Sequence, residues 1–201
     1  LSLHDALPIY DRIKLFSNLN SGVINNFENA IKLCNNEIVF LCDQDDVWVK
    51  NKVAVTKKYF ENDNELMVVV SDAYVTDDKL NVIIDSFYKS RNSKKGVVRN
   101  IIKNSYLGCT MAFRQSAKPY FLPIPSNIGM HDMWIGISME MFGKTQFIAE
   151  KLVYYRRHES TVTKVNEKSK FPNIKRTVLQ RKNLVLELYK RSKSIKKGKT
   201  K

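Results

Sequence analysis

The sequence predicts an α/β protein built on a mostly parallel sheet. Two observations carry that expectation. Short apolar runs of strand length, residues 38–42 (IVFLC) and 66–70 (LMVVV), alternate along the chain with longer stretches of helical spacing. Those runs are also continuous rather than alternating with polar residues, as in strands covered on both faces. A chain of 201 residues with 43% hydrophobic and 27% charged side chains has the composition of a globular protein with one core. Its longest apolar runs are five residues, against about 20 for a membrane-spanning helix, so no such helix is encoded.

From Tyr10 the elements follow in order. Residues 12–16 (RIKLF) read as a strand and 17–22 (SNLNSG) as a polar turn. Ile24, Phe27, Ala30, Ile31 and Cys34 repeat at helical spacing, predicting a helix over 24–34. The run 37–42 is expected as a strand buried on both faces, 50–60 as a helix, 66–70 as a second buried strand and 77–81 as a turn. Further on, 92–96 reads as a loop, 97–103 as a short helix, 106–113 as a strand-like run and the Pro-rich 119–125 as a loop. A helix over 132–142, two late strands over 145–148 and 152–155, and an amphipathic helix over 174–191 complete the expectation.

Charge is unevenly distributed. Residues 1–150 hold 17 basic and 17 acidic side chains, whereas 151–201 hold 17 basic and 3 acidic, so the whole net charge of +14 sits in the last quarter. This is a neutral domain with a basic tail rather than a uniformly basic nucleic-acid binder. The three cysteines, Cys34, Cys42 and Cys109, are odd in number and form no C-x-x-C pair. They read as buried, reduced thiols rather than disulfide partners or zinc ligands. The leader, residues 1–9 (LSLHDALPI), lacks the basic start and cleavage site of a signal peptide and looks like translated sequencing-adapter read-through. Native sequence is therefore expected to begin near Tyr10, and His4 and Asp5 receive no functional weight.

The most informative feature is Asp43-Gln44-Asp45-Asp46, directly after the strand EIVFLC and followed by Val47-Trp48. Three carboxylates in four residues repel one another where a sheet ends in a partly dry crevice. A hard divalent cation relieves that repulsion, and the carboxyl ends of strands are where open α/β sheets bind ligands. Two enzymes fit the cluster taken alone. One is a haloacid-dehalogenase-type phosphatase, with Asp43 as nucleophile and Asp45 as acid/base. The other is a nucleotide-sugar transferase with a D-x-D metal site.

Four ordered blocks favour the transferase. Asn18, Asn20, Gly22, Asn26, Phe27, Ala30 and Ile31 precede D-Q-D-D-V-W-x-x-x-K (Asp43 to Lys52). Leu107-Gly108-Cys109-Thr110-Met111-Ala112-Phe113 comes next, then Met130-His131-Asp132-x-Trp134, closed by Tyr155-Arg156-x-His158. Over residues 10–163 the chain resembles family 2 glycosyltransferases, most closely bacterial rhamnosyltransferase-like enzymes of surface-polysaccharide assembly. The resemblance implies a GT-A fold, a Rossmann-like, mostly parallel sheet flanked by helices. It also implies an inverting transfer of a sugar from a dTDP- or UDP-linked donor to a saccharide or lipid-linked acceptor, on the cytoplasmic side.

By the same resemblance, Asp45 holds Mn²⁺ or Mg²⁺ with Asp43 and Asp46 in support, and Asp132 is the catalytic base. Asn20, Gly22, Asp43, Arg156 and His158 take the donor and its diphosphate, while Trp48, Gly108, Cys109, His131 and Trp134 shape the acceptor pocket. On spacing alone Asp132 also fits the N-cap of the helix it opens. The chain departs from the family in lacking the first two strands, which hold the nucleoside. A truncated fragment with an unpaired sheet edge, unstable and inactive alone, is the expectation. The basic segment 164–201, which includes the amphipathic stretch, reads as a peripheral contact with the inner membrane face or a solvated end. Nucleic-acid binding is the least favoured reading, because interleaved aromatics are few.

Overall fold

The computed structural model describes residues 13–19, 22–157 and 174–198. In chain order the helices are α1 (Val23–Leu33), α2 (Lys52–Asn62), α3 (Phe87–Arg91), α4 (Val97–Ile102), α5 (Lys118–Phe121), α6 (His131–Phe142) and α7 (Ile174–Gly198). The strands are β1 (Ile38–Phe40), β2 (Val47–Trp48), β3 (Leu66–Thr76), β4 (Val82–Ile84), β5 (Met111–Arg114) and β6 (Lys144–Arg156). They form one sheet in the order β1-β5-β3-β6-β2, with β4 pairing the far half of β3.

The sheet is mixed rather than mostly parallel. Among the described residues only β3 and β6 pair in parallel, and every other pairing is antiparallel. Strand β5 runs against both of its neighbours, so β1 and β3 point the same way without touching. Continuous apolarity reports burial on both faces, not strand direction, which is why the run pattern misled here. The long strand β3 does have both faces covered. Val68 and Val70 join the main core under α1, α5, α6 and α7, and Leu66 and Val69 join a second core with Phe60 of α2. The result is helix, sheet and helix in three layers.

Other expectations shift for identifiable reasons. Residues 13–16 form no strand, and Phe16 is more than half exposed. Strand β1 has both faces covered, but unequally: Val39 and Leu41 enter the main core, while half-buried Ile38 and Phe40 pack against the second core at the sheet edge, where the described residues give β1 a strand partner on one side only. The run 106–113 begins as a 3-10 turn at Gly108–Thr110, closed by the Thr110 hydroxyl donating to Leu107 O (2.7 Å). The two late strands are one strand, β6, whose register on β3 slips between Ile148 and Lys151. At that bulge Glu150 accepts from the Tyr59 hydroxyl (2.7 Å). Within 119–125 the chain makes the short helix α5 before the loop.

Helix α6 is buried from His131 through Met139, with His131, Asp132 and Ser138 the polar residues of that stretch. Tyr106 lies across it, its hydroxyl donating to Glu140, which also accepts from the Gly96 amide (2.8 Å). Gly136 permits that crossing, because a Cβ there would stand 2.3 Å from the Tyr106 ring. Helix α7 is longer than expected and is packed rather than solvated. Leu184 and Leu188 enter the main core, and Arg191 donates to Leu122 O and Pro123 O with its guanidinium over the Trp134 ring. Replacing Gly136 with Ala is expected to destabilise the protein by about 1–3 kcal/mol through overpacking. Denaturant unfolding checks this, and unchanged stability would mean that Tyr106 does not hold that position.

Candidate functional site

Distant segments converge where β1, β3 and β6 end and where β5, α1 and α6 begin. They enclose a cavity of about 370 Å³. Val23, Asn26 and Phe27 of α1 form one wall; the loop after β1 contributes Asp43, Gln44 and Asp45; Leu107, Gly108, Met130, His131, Asp132 and Tyr155 complete it. Both the acidic loop and Asp132, 86 residues or more apart in sequence, therefore face one space.

The acidic loop is anchored beneath the cavity. Asp46 accepts from the Arg156 amide (2.9 Å), while its second carboxylate oxygen is buried without a hydrogen-bond partner. Oxygens of Asp43 and Asp46 and the Cys109 sulfur lie within 4.8 Å of one another. Asp45, the expected principal ligand, instead lines the cavity outside that group. Lys52 lies under the loop, buried, donating to Cys109 O (2.6 Å) with its ammonium 4.0 Å over the Trp48 ring. Burial lowers the Lys52 ammonium to about 8. Burial, reinforced by Asp46 and Asp45, raises the Asp43 carboxyl to about 6, and burial also raises Asp46. One lysine thus leaves the corner with surplus negative charge. With the unpartnered Asp46 oxygen, that donor set fits a divalent cation.

Asp132 is not an N-cap. The cap position belongs to Met130, which makes no side-chain cap bond, and Asp132 stands in the first turn, accepting from the Met133 amide. Burial raises its carboxyl to about 6, while the Met133 and Gly108 amides oppose the shift and Asp43 adds to it. Arg181 of α7 also favours the ionised form. Beside it, His131 stacks on Phe27 with ring centroids 3.8 Å apart, both ring nitrogens buried and unpartnered. Burial lowers that imidazole to about 4, so it is neutral at pH 7. Gly108 is fitted to the ring, since a Cβ there would come 3.2 Å from His131 Nε2.

Three residues expected in the pocket are elsewhere. The Trp134 indole is wholly buried in the core and donates to Phe121 O (2.7 Å). Trp48 packs on Phe40 and Lys52 at the sheet edge. Cys109 faces the acidic corner rather than the cavity. Gly22 supplies the positive φ (102°) that opens α1 and is not on the cavity wall. Arg156 meets the site through its backbone amide. Strand alternation puts Arg157, not Arg156, on the Tyr155 face, and its guanidinium lies 4.7 Å over that ring. Asn20 and His158 lie outside the described residues. Sequence reasoning assigned no role to Lys52, Tyr155 or Arg157. The D-Q-D-D-V-W-x-x-x-K block, which ends on Lys52, carried the signal for the first.

A mixed α/β sheet curled between helices, with an acidic corner and a buried carboxylate facing one cavity, defines a GT-A-like fold. Residues 3–121 match the family described as glycosyl transferase family 2, and the chain belongs to that family. It is a glycosyltransferase, which decides between the two enzymes that the acidic cluster alone allowed. The matched segment ends with α5, so the placement of Asp132 rests on the site geometry. No curated protein matches the chain.

A buried carboxyl held at about 6 instead of the ordinary 3.8 binds its proton more tightly when folded. Stability therefore falls as pH rises from about 4 to about 6, and the full cost, about 3 kcal/mol, persists above that range. Asp132→Asn is accordingly expected to raise stability by up to about 3 kcal/mol at pH 7–8, with the gain fading toward pH 4. Thermal unfolding across that range is the check. A variant less stable than the parent at pH 8 would show that Asp132 is compensated.

Proposed function

We propose that the cavity brings a nucleotide-diphosphate sugar and an acceptor hydroxyl together for inverting transfer, with Asp132 as the base. The observation that carries this reading is the shared cavity of Asp43, Asp45 and Asp132. Asp132 takes the proton of the acceptor hydroxyl as that oxygen forms its bond to the anomeric carbon. The bond to the diphosphate oxygen breaks on the opposite side, which inverts the configuration. A carboxyl near 6 is ionised at neutral pH yet basic enough to accept a proton. The Met133 and Gly108 amides fix its orientation, and neutral His131 with Phe27 offers a flat wall suited to a sugar ring.

Asp43 and Asp46 are the residues that hold Mn²⁺ or Mg²⁺ in this reading, with Asp45 facing the donor; when bound, the ion stabilises the leaving diphosphate. Arg157, in place of Arg156, is the donor to phosphate oxygens in this reading, supported by its position over Tyr155 at the cavity wall. Rhamnose or another hexose from a dTDP- or UDP-donor, and a growing surface polysaccharide or lipid-linked acceptor, follow from the four blocks that resemble rhamnosyltransferase-like enzymes.

A membrane-surface site of action is supported by α7. Val178, Leu179, Leu186 and Tyr189 are exposed beside Lys175, Lys182, Lys193 and Lys197, an amphipathic, basic surface suited to anionic lipid. No helix among the described residues is long and apolar enough to cross a membrane.

Asp132→Asn is expected to lower turnover by about 10²–10⁴ while binding of a nucleoside diphosphate stays unchanged. In the parent, turnover is expected to rise with pH through about 6 as Asp132 ionises. Transfer assays on dTDP- and UDP-sugars with Mn²⁺ measure both, and normal turnover in the variant would remove Asp132 from the chemistry. For the membrane reading, co-sedimentation with anionic but not neutral vesicles is expected, weakened by Val178→Asp with Leu186→Asp. Equal recovery with both vesicle types would dismiss it.

A further inference from the structure

We propose that His131 is a specificity-determining residue. One of its ring nitrogens hydrogen-bonds the sugar hydroxyl next to the one that Asp132 deprotonates, so the site selects an acceptor with a vicinal diol. The inference rests on the reading of Asp132 as the base that serves an acceptor hydroxyl. It adds which neighbouring group of the acceptor is recognised, and by which residue.

An unmet hydrogen-bonding demand is the first support. His131 opens α6 at 3% exposure, and neither Nδ1 nor Nε2 has a partner among the described residues. Burial keeps the imidazole neutral at pH 7, so one nitrogen carries a hydrogen and the other a free lone pair. Polar atoms sealed from water without partners are costly and rare in folded proteins. A hydroxyl can satisfy either nitrogen, because it both donates and accepts. The second support is place. His131 lines the cavity together with Asp132. The point where a Gly108 Cβ would stand is 3.2 Å from His131 Nε2 and 3.7 Å from Asp132 Cβ, so both side chains belong to one part of the wall. Fixation is the third. Phe27 stacks on the ring, centroids 3.8 Å apart and planes 16° from parallel, which covers a ring face and leaves the in-plane nitrogens free to bond.

Other roles of a buried histidine do not fit. Among the described residues no carboxylate or hydroxyl bonds its ring nitrogens, and Asp132 accepts from the Met133 amide instead. His131 therefore neither orients Asp132 nor relays its proton. A residue serving packing alone would be met by phenylalanine, which stacks on Phe27 and leaves no buried polar atom unpaired. The chain order then names the ligand group. Asp132 takes the reacting hydroxyl, and the residue beside it, fixed at the same wall, reaches the hydroxyl on the adjacent carbon of the same sugar ring.

Transfer from dTDP- and UDP-sugars with Mn²⁺ tests this on the full chain. The acceptors are methyl α-L-rhamnopyranoside, methyl α-D-glucopyranoside and methyl β-D-galactopyranoside, each beside its monodeoxy analogues. In the parent, removing the hydroxyl next to the reacting one is expected to lower kcat/KM by about 10–10². His131→Phe keeps a flat ring on Phe27. It is expected to lower kcat/KM for the intact acceptor by a similar factor and to treat intact and deoxy acceptors alike, through the acceptor KM rather than the donor KM. His131→Gln or His131→Asn, whose amides stand near the places of Nε2 and Nδ1, should restore part of the discrimination, with circular dichroism confirming the fold. The imidazole nitrogen resonances of His131 in the unaltered chain give a second readout, expected to move with an intact methyl glycoside and not with its deoxy analogue. Discrimination that survives in His131→Phe, or resonances that no glycoside moves, overturns the role of His131 and leaves the transfer reading standing. A rise in donor KM alone overturns the assignment to the acceptor. Failure of both UDP and dTDP to bind with Mn²⁺ would overturn the transfer reading and this inference together.

Discussion

Negative charge held out of water at the end of β1 is the constraint to which the rest of the structure answers. Asp43, Asp46 and Asp132 occupy a region where burial alone disfavours their ionised forms. The compensation is specific and incomplete. Lys52 is fixed under the loop by Trp48 and the Cys109 carbonyl, the Arg156 amide reaches Asp46, and the amides of Met133 and Gly108 reach Asp132. A fully neutralised corner would be a structural ion-pair network. A corner left short of positive charge is one that gains from a cation and keeps a carboxylate ready to accept a proton.

The sheet exists in the form that delivers these groups. Parallel pairing along β3 and β6 carries Tyr155 and Arg156 to the level of the acidic loop, and the bulge at Ile148–Lys151 sets how far β6 reaches. Strand β5, running backwards between β1 and β3, puts the Gly108–Thr110 turn at the same end. Small size at Gly108 lets His131 come against the turn, and Phe27 of α1 covers the other face of that ring. The cavity floor is thus made from parts that are separate in sequence and adjacent only because β5 is antiparallel.

That arrangement decides which features are legible in the sequence. Helix α1 is legible because its core face repeats at helical spacing. The acidic loop is legible because three carboxylates directly after a buried strand carry an electrostatic cost that a bound cation removes. Asp132 stands out through its M-H-D-x-W block, although spacing alone makes it a cap. Strand direction is not legible, since burial on both faces leaves the same apolar signature whichever way a neighbour runs. Trp134 and Cys109 are misplaced for a related reason. A motif shows that residues lie near a site, but which wall each one faces depends on the helix phase and the turn. Trp134, two positions past Asp132, points to the opposite side of α6, and Cys109, one past Gly108, points down to the acids.

Helix α7 shows why the basic quarter of the sequence is more than a solvated appendage. Its inner face is held by Leu184, Leu188 and Arg191, and this docking brings Arg181 against Met133, within electrostatic reach of Asp132. The charge on Arg181 favours the ionised carboxylate, partly offsetting the burial that would keep it protonated. Placement of α7 therefore sets part of the proton affinity of a buried acid on α6. The outer face of the same helix carries the exposed apolar and lysine side chains. Among the described residues a single helix thus carries both an exposed basic face and a charge that acts on Asp132.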